Sequence, residues 1–177
     1  MYSTLHKYLE DELATGFVKE YAGGSYAFVA MLPNEGVSVA EYVKSLTGEH
    51  LQKLLAEPQN VEVRTSLPKF ETEFSAELSD VLKSMGMERP FTSGMEGVGI
   101  STEDIYMVIS EVFHKTFIAV DEKGTRAGAA TAVMMAPGSA PAPQEYKVVY
   151  LDRPFVYMIV DLINNAPIFI GTAMSIG

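Results

Sequence analysis

Phe113-His114-Lys115-Thr116-Phe117-Ile118-Ala119-Val120-Asp121-Glu122-Lys123-Gly124-Thr125 is the stretch on which the fold turns. With the residues before it, 105–120 make the longest strand candidate in the chain. Val108, Ser110, Val112, His114, Thr116, Ile118 and Val120 share one face at period two. Met107, Ile109, Phe113, Phe117 and Ala119 share the other, with Glu111 and Lys115 among them. Apolar residues on both faces predict a central strand covered on both sides. Fully extended it would reach roughly 50 Å, longer than the usual strand. His114 lies in mid-strand on an apolar face beside Ser110, which predicts a buried, hydrogen-bonded structural histidine rather than a general base.

Beyond this strand the composition changes abruptly. Residues 124–132 are small and almost featureless, Val133-Met134-Met135 is apolar, and Ala136-Pro137-Gly138-Ser139-Ala140-Pro141-Ala142-Pro143 is proline-rich. Such a stretch cannot pack a core of its own, so it reads as an exposed loop of about 20 residues, a length usually kept for function. Three strand-like segments come next at 146–151, 155–163 and 168–176, with Asn164-Asn165-Ala166-Pro167 as the turn between the last two.

Upstream, 16–21 and 25–32 are strand-like and Ala22-Gly23-Gly24 supplies the turn of a β-hairpin, which Pro33-Asn34-Glu35-Gly36 stops. Val39, Tyr42, Val43 and Leu46 recur at helical spacing after Ser38; Leu51, Leu54 and Leu55 do so after Thr47, a residue suited to an N-cap. His50 falls in the first turn of that second helix and reads as exposed and structural. Residues 61–67 alternate as a strand and Pro68 breaks it. Ser75 is expected to cap a helix over 75–85 with Leu78, Val81, Leu82 and Met85 on its apolar face and Gly86 at its end. The class this predicts is α+β, mainly antiparallel sheets with short helices.

Composition excludes several function classes. Of 177 residues, 47% are hydrophobic and 20% charged, which fits a globular domain. With 13 basic and 23 acidic side chains the net charge is −10, which repels nucleic acid and heparin-like polyanions. The absence of cysteine removes a disulfide scaffold, a thiolate zinc site and a cysteine nucleophile. No apolar run approaches the roughly 18–20 residues of a spanning helix. Residues 1–30 lack the order of a signal peptide. The Gly94–Gly99 loop lacks a phosphate-binding order. Three histidines carry no nucleophile or zinc motif, so no catalytic residue, metal or cofactor is expected.

The long strand, the Glu122-Lys123-Gly124-Thr125 junction and the alanine-rich run are succeeded by Val149-Tyr150-Leu151-Asp152-Arg153-Pro154-Phe155-Val156-Tyr157-Met158-Ile159 and Pro167-Ile168-Phe169-Ile170-Gly171. This order resembles the serpin family of serine protease inhibitors, in a bacterial-type form. Pro68-Lys69-Phe70, Gly99-Ile100-Ser101 and Leu32-Pro33-Asn34-Glu35-Gly36 fit the same template, so the resemblance is colinear over essentially the whole chain. It covers only the C-terminal half of a typical serpin domain. The N-terminal helices and the third strand of the main sheet have no counterpart, so the chain is expected to be a fragment that is not inhibitory alone.

The resemblance implies a reactive-centre loop at about 123–145 and a hinge at Gly124, Thr125, Arg126, Ala127, Gly128, Ala129, Ala130 and Thr131. It implies a Lys69–Glu122 ion pair at the top of the main sheet, and His114 in the region where strands part to admit the loop. Inhibition in the family proceeds by insertion of the cleaved loop as a new strand, which converts an unpaired edge into a paired one. Thr125, Ala127, Ala129 and Thr131 alternate onto one face and are all small, the pattern an inserting strand needs. Arg126 departs from the acidic residue often found there, on a face that should be solvated.

The family's loop length puts the reactive bond between Gly138 and Ser139, with Met135-Ala136 as the alternative. Bonds ending in proline are poor choices, because proline lacks the N–H and restricts its neighbour. Between Arg126 and Gln144 there is no Lys, Arg, Asp or Glu. The expected partner is therefore an elastase-like or subtilisin-like serine protease that prefers small or medium apolar residues. The resemblance implies an extracellular or cell-envelope location. The alternative function is a non-inhibitory serpin-fold binding or chaperone-like protein.

Overall fold

The computed structural model describes residues 1–92, 108–121 and 145–175. They form β1 (Tyr2–Glu10), β2 (Ala14–Glu20), β3 (Tyr26–Pro33), α1 (Val39–Ser45), α2 (Gly48–Ala56), β4 (Gln59–Ser66), β5 (Phe70–Glu77), α3 (Ser79–Ser84), α4 (Arg89–Thr92), β6 (Phe113–Val120), β7 (Tyr146–Tyr150), β8 (Phe155–Asp161) and β9 (Ala166–Ala173). Two compact units result, Met1–Phe70 with Ala119–Gly177, and Glu71–Ile118.

The first unit is built on a seven-stranded sheet in the order β7-β4-β1-β2-β3-β8-β9. Its described pairings are antiparallel except β4 with β7. The β2–β3 hairpin closes through Gly23 and Gly24 at φ 101° and 70°, a conformation that costs glycine nothing. The β8–β9 turn runs through Asn165 at φ 48°, the side chain best suited to that region, while Asp161 accepts the Ile163 N–H. Ser38 and Thr47 cap α1 and α2, their hydroxyls accepting the N–H groups of Glu41 and His50 at 3.1 Å each. The two helices lay Val39, Tyr42, Leu51 and Leu55 over Leu9, Val18, Val29, Met31, Val156 and Met158 of the sheet. Each large side chain so buried contributes about 1.5–3 kcal/mol.

Four features differ from what the sequence predicts. Tyr2–Glu10 is a strand that the sequence does not announce, because its apolar residues 2, 5, 8 and 9 do not alternate. Phe70–Glu77 is also a strand, so Ser75 caps nothing and the helix shortens to Ser79–Ser84. There the Ser79 hydroxyl accepts the Val112 N–H at 2.9 Å and the Glu77 carboxylate accepts the Ser79 N–H at 2.7 Å. Finally, β6 is shorter than 105–120: among the described residues, 108–112 are not strand, and 105–107 lie outside them. Nor is β6 central here. It pairs with β5 in a two-stranded sheet and, among the described residues, with nothing on its other edge.

One polar hub fastens the helices to the sheet. Asp11, in the β1–β2 turn, accepts the N–H groups of Leu13 and Ala14 through Oδ1 at 2.9 and 2.8 Å. Its Oδ2 accepts the Tyr42 hydroxyl at 2.9 Å and lies 3.1 Å from His50 Nε2. Burial pushes the Asp11 pKa up, but His50, the Leu13 N–H, Tyr42 and the Ala14 N–H together hold it below the ordinary carboxylate value. A lowered carboxylate pKa stabilises the fold fully above about 3.9, and that stabilisation disappears as pH falls through the folded value. Asp11→Ala should therefore cost roughly 2–3 kcal/mol near neutral pH, where it also strands the buried Tyr42 hydroxyl, and clearly less in strong acid. Urea melts at the two pH values check this; an equal loss at both would contradict the assignment.

The loop-bearing strands and the candidate reactive centre

The candidate site falls between β6 and β7 in the sequence. Gly138, Ser139, Met135 and Ala136, the hinge residues Gly124 to Thr131, and Glu122 all lie outside the described residues. What the structure gives are the two mounts.

The upstream mount is β6. Its face carries Phe113, 71% exposed, and Phe117, 60% exposed. Lys115 pairs with Glu73 of β5. His114 is exposed, not buried as its apolar surroundings in the sequence predict. The reason is the sheet: a strand with apolar side chains on both faces is covered only when neighbours supply layers, and β6 has one described neighbour. Lys69 sits between β4 and β5, where the chain passes from one sheet to the other.

The downstream mount is tied to the sheet by backbone and side-chain bonds. β7 runs parallel to β4, with Glu62 opposite Tyr146, Arg64 opposite Val148 and Ser66 opposite Tyr150. Within it Val149 is buried. The Leu151 N–H then donates to the Ser66 carbonyl at 3.0 Å. The Asp152-Arg153-Pro154-Phe155 segment turns the chain back into the sheet. Arg153 donates to the Asp152 carboxylate at 3.1 Å and to the Pro33 carbonyl at 3.0 Å, tying the turn to the end of β3. Phe155, fully buried, meets Phe70 edge-on at 5.5 Å, and Phe70 lies 5.1 Å from Tyr157. Tyr157 in turn stacks on Phe28 and Phe169 at 6.3 and 6.1 Å. The motif is thus an anchor. It fixes the chain that follows the candidate site in the sequence, while the strand that precedes the site has one edge unpaired among the described residues.

Among the described residues no group of His, Asp and Glu could hold a metal. The Asp11, Tyr42 and His50 hub contains no nucleophile, and its acid is fully used by four donors.

Comparison with known proteins matches this architecture. The model of the serpin family, serine protease inhibitors, matches residues 2–176. An uncharacterized serpin-like protein of Thermococcus kodakarensis is 33% identical over 95% of this chain and 39% of its own length. Serpin-ZXA of Oryza sativa subsp. japonica is 36% identical over 76% of this chain and 33% of its own. Among solved structures, the thermophilic serpin tengpin in its native state superposes with a TM-score of 0.78 at 42% identity, covering 99% of this chain and 46% of that one. In its latent state the TM-score is 0.74 at 36% identity, over 100% of this chain and 46% of that one. The chain belongs to the serpin family, and it spans less than half the length of these relatives.

Gly171, last of the Pro-Ile-Phe-Ile-Gly run, shows how tightly the downstream mount is packed. A Cβ there would meet the Tyr157 hydroxyl at 2.5 Å and Cζ at 2.6 Å, and Tyr157 is fully buried with no room to retreat. Gly171→Val should destabilise the fold by about 1–3 kcal/mol through overpacking. Chemical denaturation would show it, and a variant as stable as the parent would refute the packing argument.

Proposed function

We propose that these residues form the C-terminal half, 1–177, of an inhibitory serpin domain that traps an elastase-like or subtilisin-like serine protease. One observation carries the reading: β6, with one edge unpaired among the described residues, leads straight into the alternating small residues Thr125, Ala127, Ala129 and Thr131. Beside an edge that can accept a strand, the sequence thus supplies a segment able to become one. Gly124 to Thr131 act as the hinge, and 123–145 as the exposed reactive-centre loop.

The trap is an interrupted proteolysis. The protease's serine oxygen attacks the carbonyl carbon of Gly138, the Gly138–Ser139 bond breaks, and the new amine of Ser139 takes the proton held by the protease's histidine. This leaves an ester between Gly138 and the protease. Residues upstream of the cut then enter the sheet beside β6, against a strand from the remainder of the serpin fold, and carry the ester with them. Water must attack that ester before insertion distorts the protease; the faster step decides between inhibitor and substrate. Downstream, the Arg153 and Phe155 anchor keeps Ser139 and the residues after it from being drawn along. Met135-Ala136 is the alternative bond. Lys69 and Glu122 pair to keep the hinge out of the sheet before cleavage, and His114 becomes buried where the sheet parts. No cofactor, metal, heparin, nucleic acid or membrane takes part, the protein itself performs no enzymatic turnover, and the site of action is extracellular or in the cell envelope.

An intact serpin carrying these residues should form an SDS-stable adduct with subtilisin or pancreatic elastase and release a C-terminal peptide beginning at Ser139. Thr125→Arg would force a charge into the inserted face, which costs several kcal/mol unpaired. Adduct yield should fall at least tenfold while cleavage continues. Cleavage of the unaltered protein with no adduct would instead mark a non-inhibitory serpin-fold binding or chaperone-like protein. A cut outside 134–140, or inhibition confined to a trypsin-like enzyme, would overturn the assignment of the bond.

A further inference from the structure

Lys19 carries a charge that the described residues leave unanswered. It stands in β2, the middle strand of the seven, directly opposite Phe28 of β3. Val18 and Val29, which alternate with this pair, join the core with residues of α1 and α2. Lys19 and Phe28 therefore occupy the sheet face turned away from the helices. Phe17, two residues before Lys19, is buried there, as is Phe28, which stacks on Tyr157 at 6.3 Å. In this apolar setting Lys19 is itself only 9% exposed.

Other lysines of the chain are paired or wet. Lys7 pairs with Glu20, Lys83 with Asp80 and Lys115 with Glu73, while Lys44 and Lys53 are exposed. Lys19 has neither outlet: among the described residues no hydrogen bond or ion pair reaches its ammonium. Glu20, next in the chain, is taken by Lys7. Every sealed side-chain nitrogen among the described residues has a partner, so the Lys19 nitrogen is not sealed and keeps a narrow contact with water. Burial holds its pKa below the ordinary lysine value. A charge this deep costs free energy until an opposite charge meets it.

Position then selects the partner. A side chain at the middle of a sheet face and nine-tenths buried is met by a residue of the same fold, not by a passing protein. The chain spans 46% of the tengpin chain on which it superposes, so more than half of such a domain has no counterpart in it. We propose that an aspartate or glutamate from the part of the serpin domain not included in these residues pairs with Lys19, a buried ion pair that keys the rest of the domain to the centre of this sheet. The pair depends on membership of the serpin family alone and is independent of protease inhibition. It sets position as well as energy, because packing one residue out of register would leave both charges buried and alone.

The test has two arms. In the 177-residue chain, Lys19→Met keeps the length of the side chain and removes the charge, so it should raise the melting midpoint by about 2–4 °C at pH 7. A lysine whose folded pKa is depressed gains stability as pH rises from the folded towards the unfolded value, so the parent should close that gap near pH 10. In an intact serpin carrying these residues the same substitution strands the carboxylate, and the midpoint should fall by several degrees. A water-soluble carbodiimide, which joins an amine to a carboxylate in contact with it, should link Lys19 of the intact protein to an Asp or Glu outside residues 1–177, read by peptide mass mapping. If the 177-residue chain does not melt cooperatively, the intact protein decides by the sign of its shift and by the linked residue. A midpoint lowered by Lys19→Met in the chain, or raised or unchanged in the intact protein, would overturn the pair. So would the lack of any link at Lys19, or a link to an acid within 1–177 or to a second copy.

Discussion

The antiparallel pairing of β3 with β8 is the join on which the described structure depends. It sets Ala27 to Met31 against Val156 to Val160, residues more than a hundred positions apart, and makes one sheet out of the two ends of the chain. Closing a loop of that length costs only on the order of 4 kcal/mol, since the cost grows with the logarithm of length. The return is large: Phe28, Val29, Ala30 and Met31 on one strand, and Phe155, Val156, Tyr157 and Met158 on the other, all lose their contact with water. Because the intervening chain costs little, it is free to be long, and it includes the residues of the second unit and of the candidate site. The downstream mount is fastened to this join through Phe155 and through the Arg153 bond to the end of β3.

How much of the fold was legible in the sequence depends on how local each determinant is. The β2–β3 turn, the caps at Ser38 and Thr47 and the break at Asn164-Asn165 are written in two to four adjacent residues, and each is where the local chemistry places it. Strands whose partners are distant are harder to see. β1 alternates exposed and half-buried positions with polar residues on both, so Tyr2–Glu10 offers no period to detect. In β5, Phe70 and Phe74 fit a strand, but Ser75 and the leucine-rich residues after it mimic a capped helix. His114 stands exposed in this chain for the opposite reason. Its apolar neighbours predict burial, yet burial belongs to the whole assembly of layers, and β6 has one described neighbour.

The candidate site was legible only through the order of motifs across the chain; no single residue near it has catalytic chemistry to betray it. The exposed face of β7 was missed altogether. Tyr-Lys-Val-Val-Tyr gives a strand, but both of its faces contain apolar residues, and period two does not say which looks outward. That answer comes from the parallel register with β4, which buries Val149 and turns Tyr146, Val148 and Tyr150 to the surface.

A strand such as β6, apolar on both faces and unpaired along one edge among the described residues, is a hazard in an ordinary protein, because it invites pairing with any other chain. Natural sheets blunt such edges with charge, proline or a bulge. Phe113–Val120 has one lysine, already paired to Glu73, and no proline. Leaving the edge open makes physical sense if a strand is meant to arrive there, and the small alternating residues next in the sequence are suited to that arrival. In the trap proposed above, the same openness would set the limit: any strand that reached the edge before cleavage would satisfy it and disarm the inhibitor. On that proposal timing would decide the outcome, through whatever held the hinge out until the bond was cut. The proposal gives that task to Lys69 and Glu122, because in the sequence one stands just before β5 and the other just after its partner β6, next to the proposed hinge.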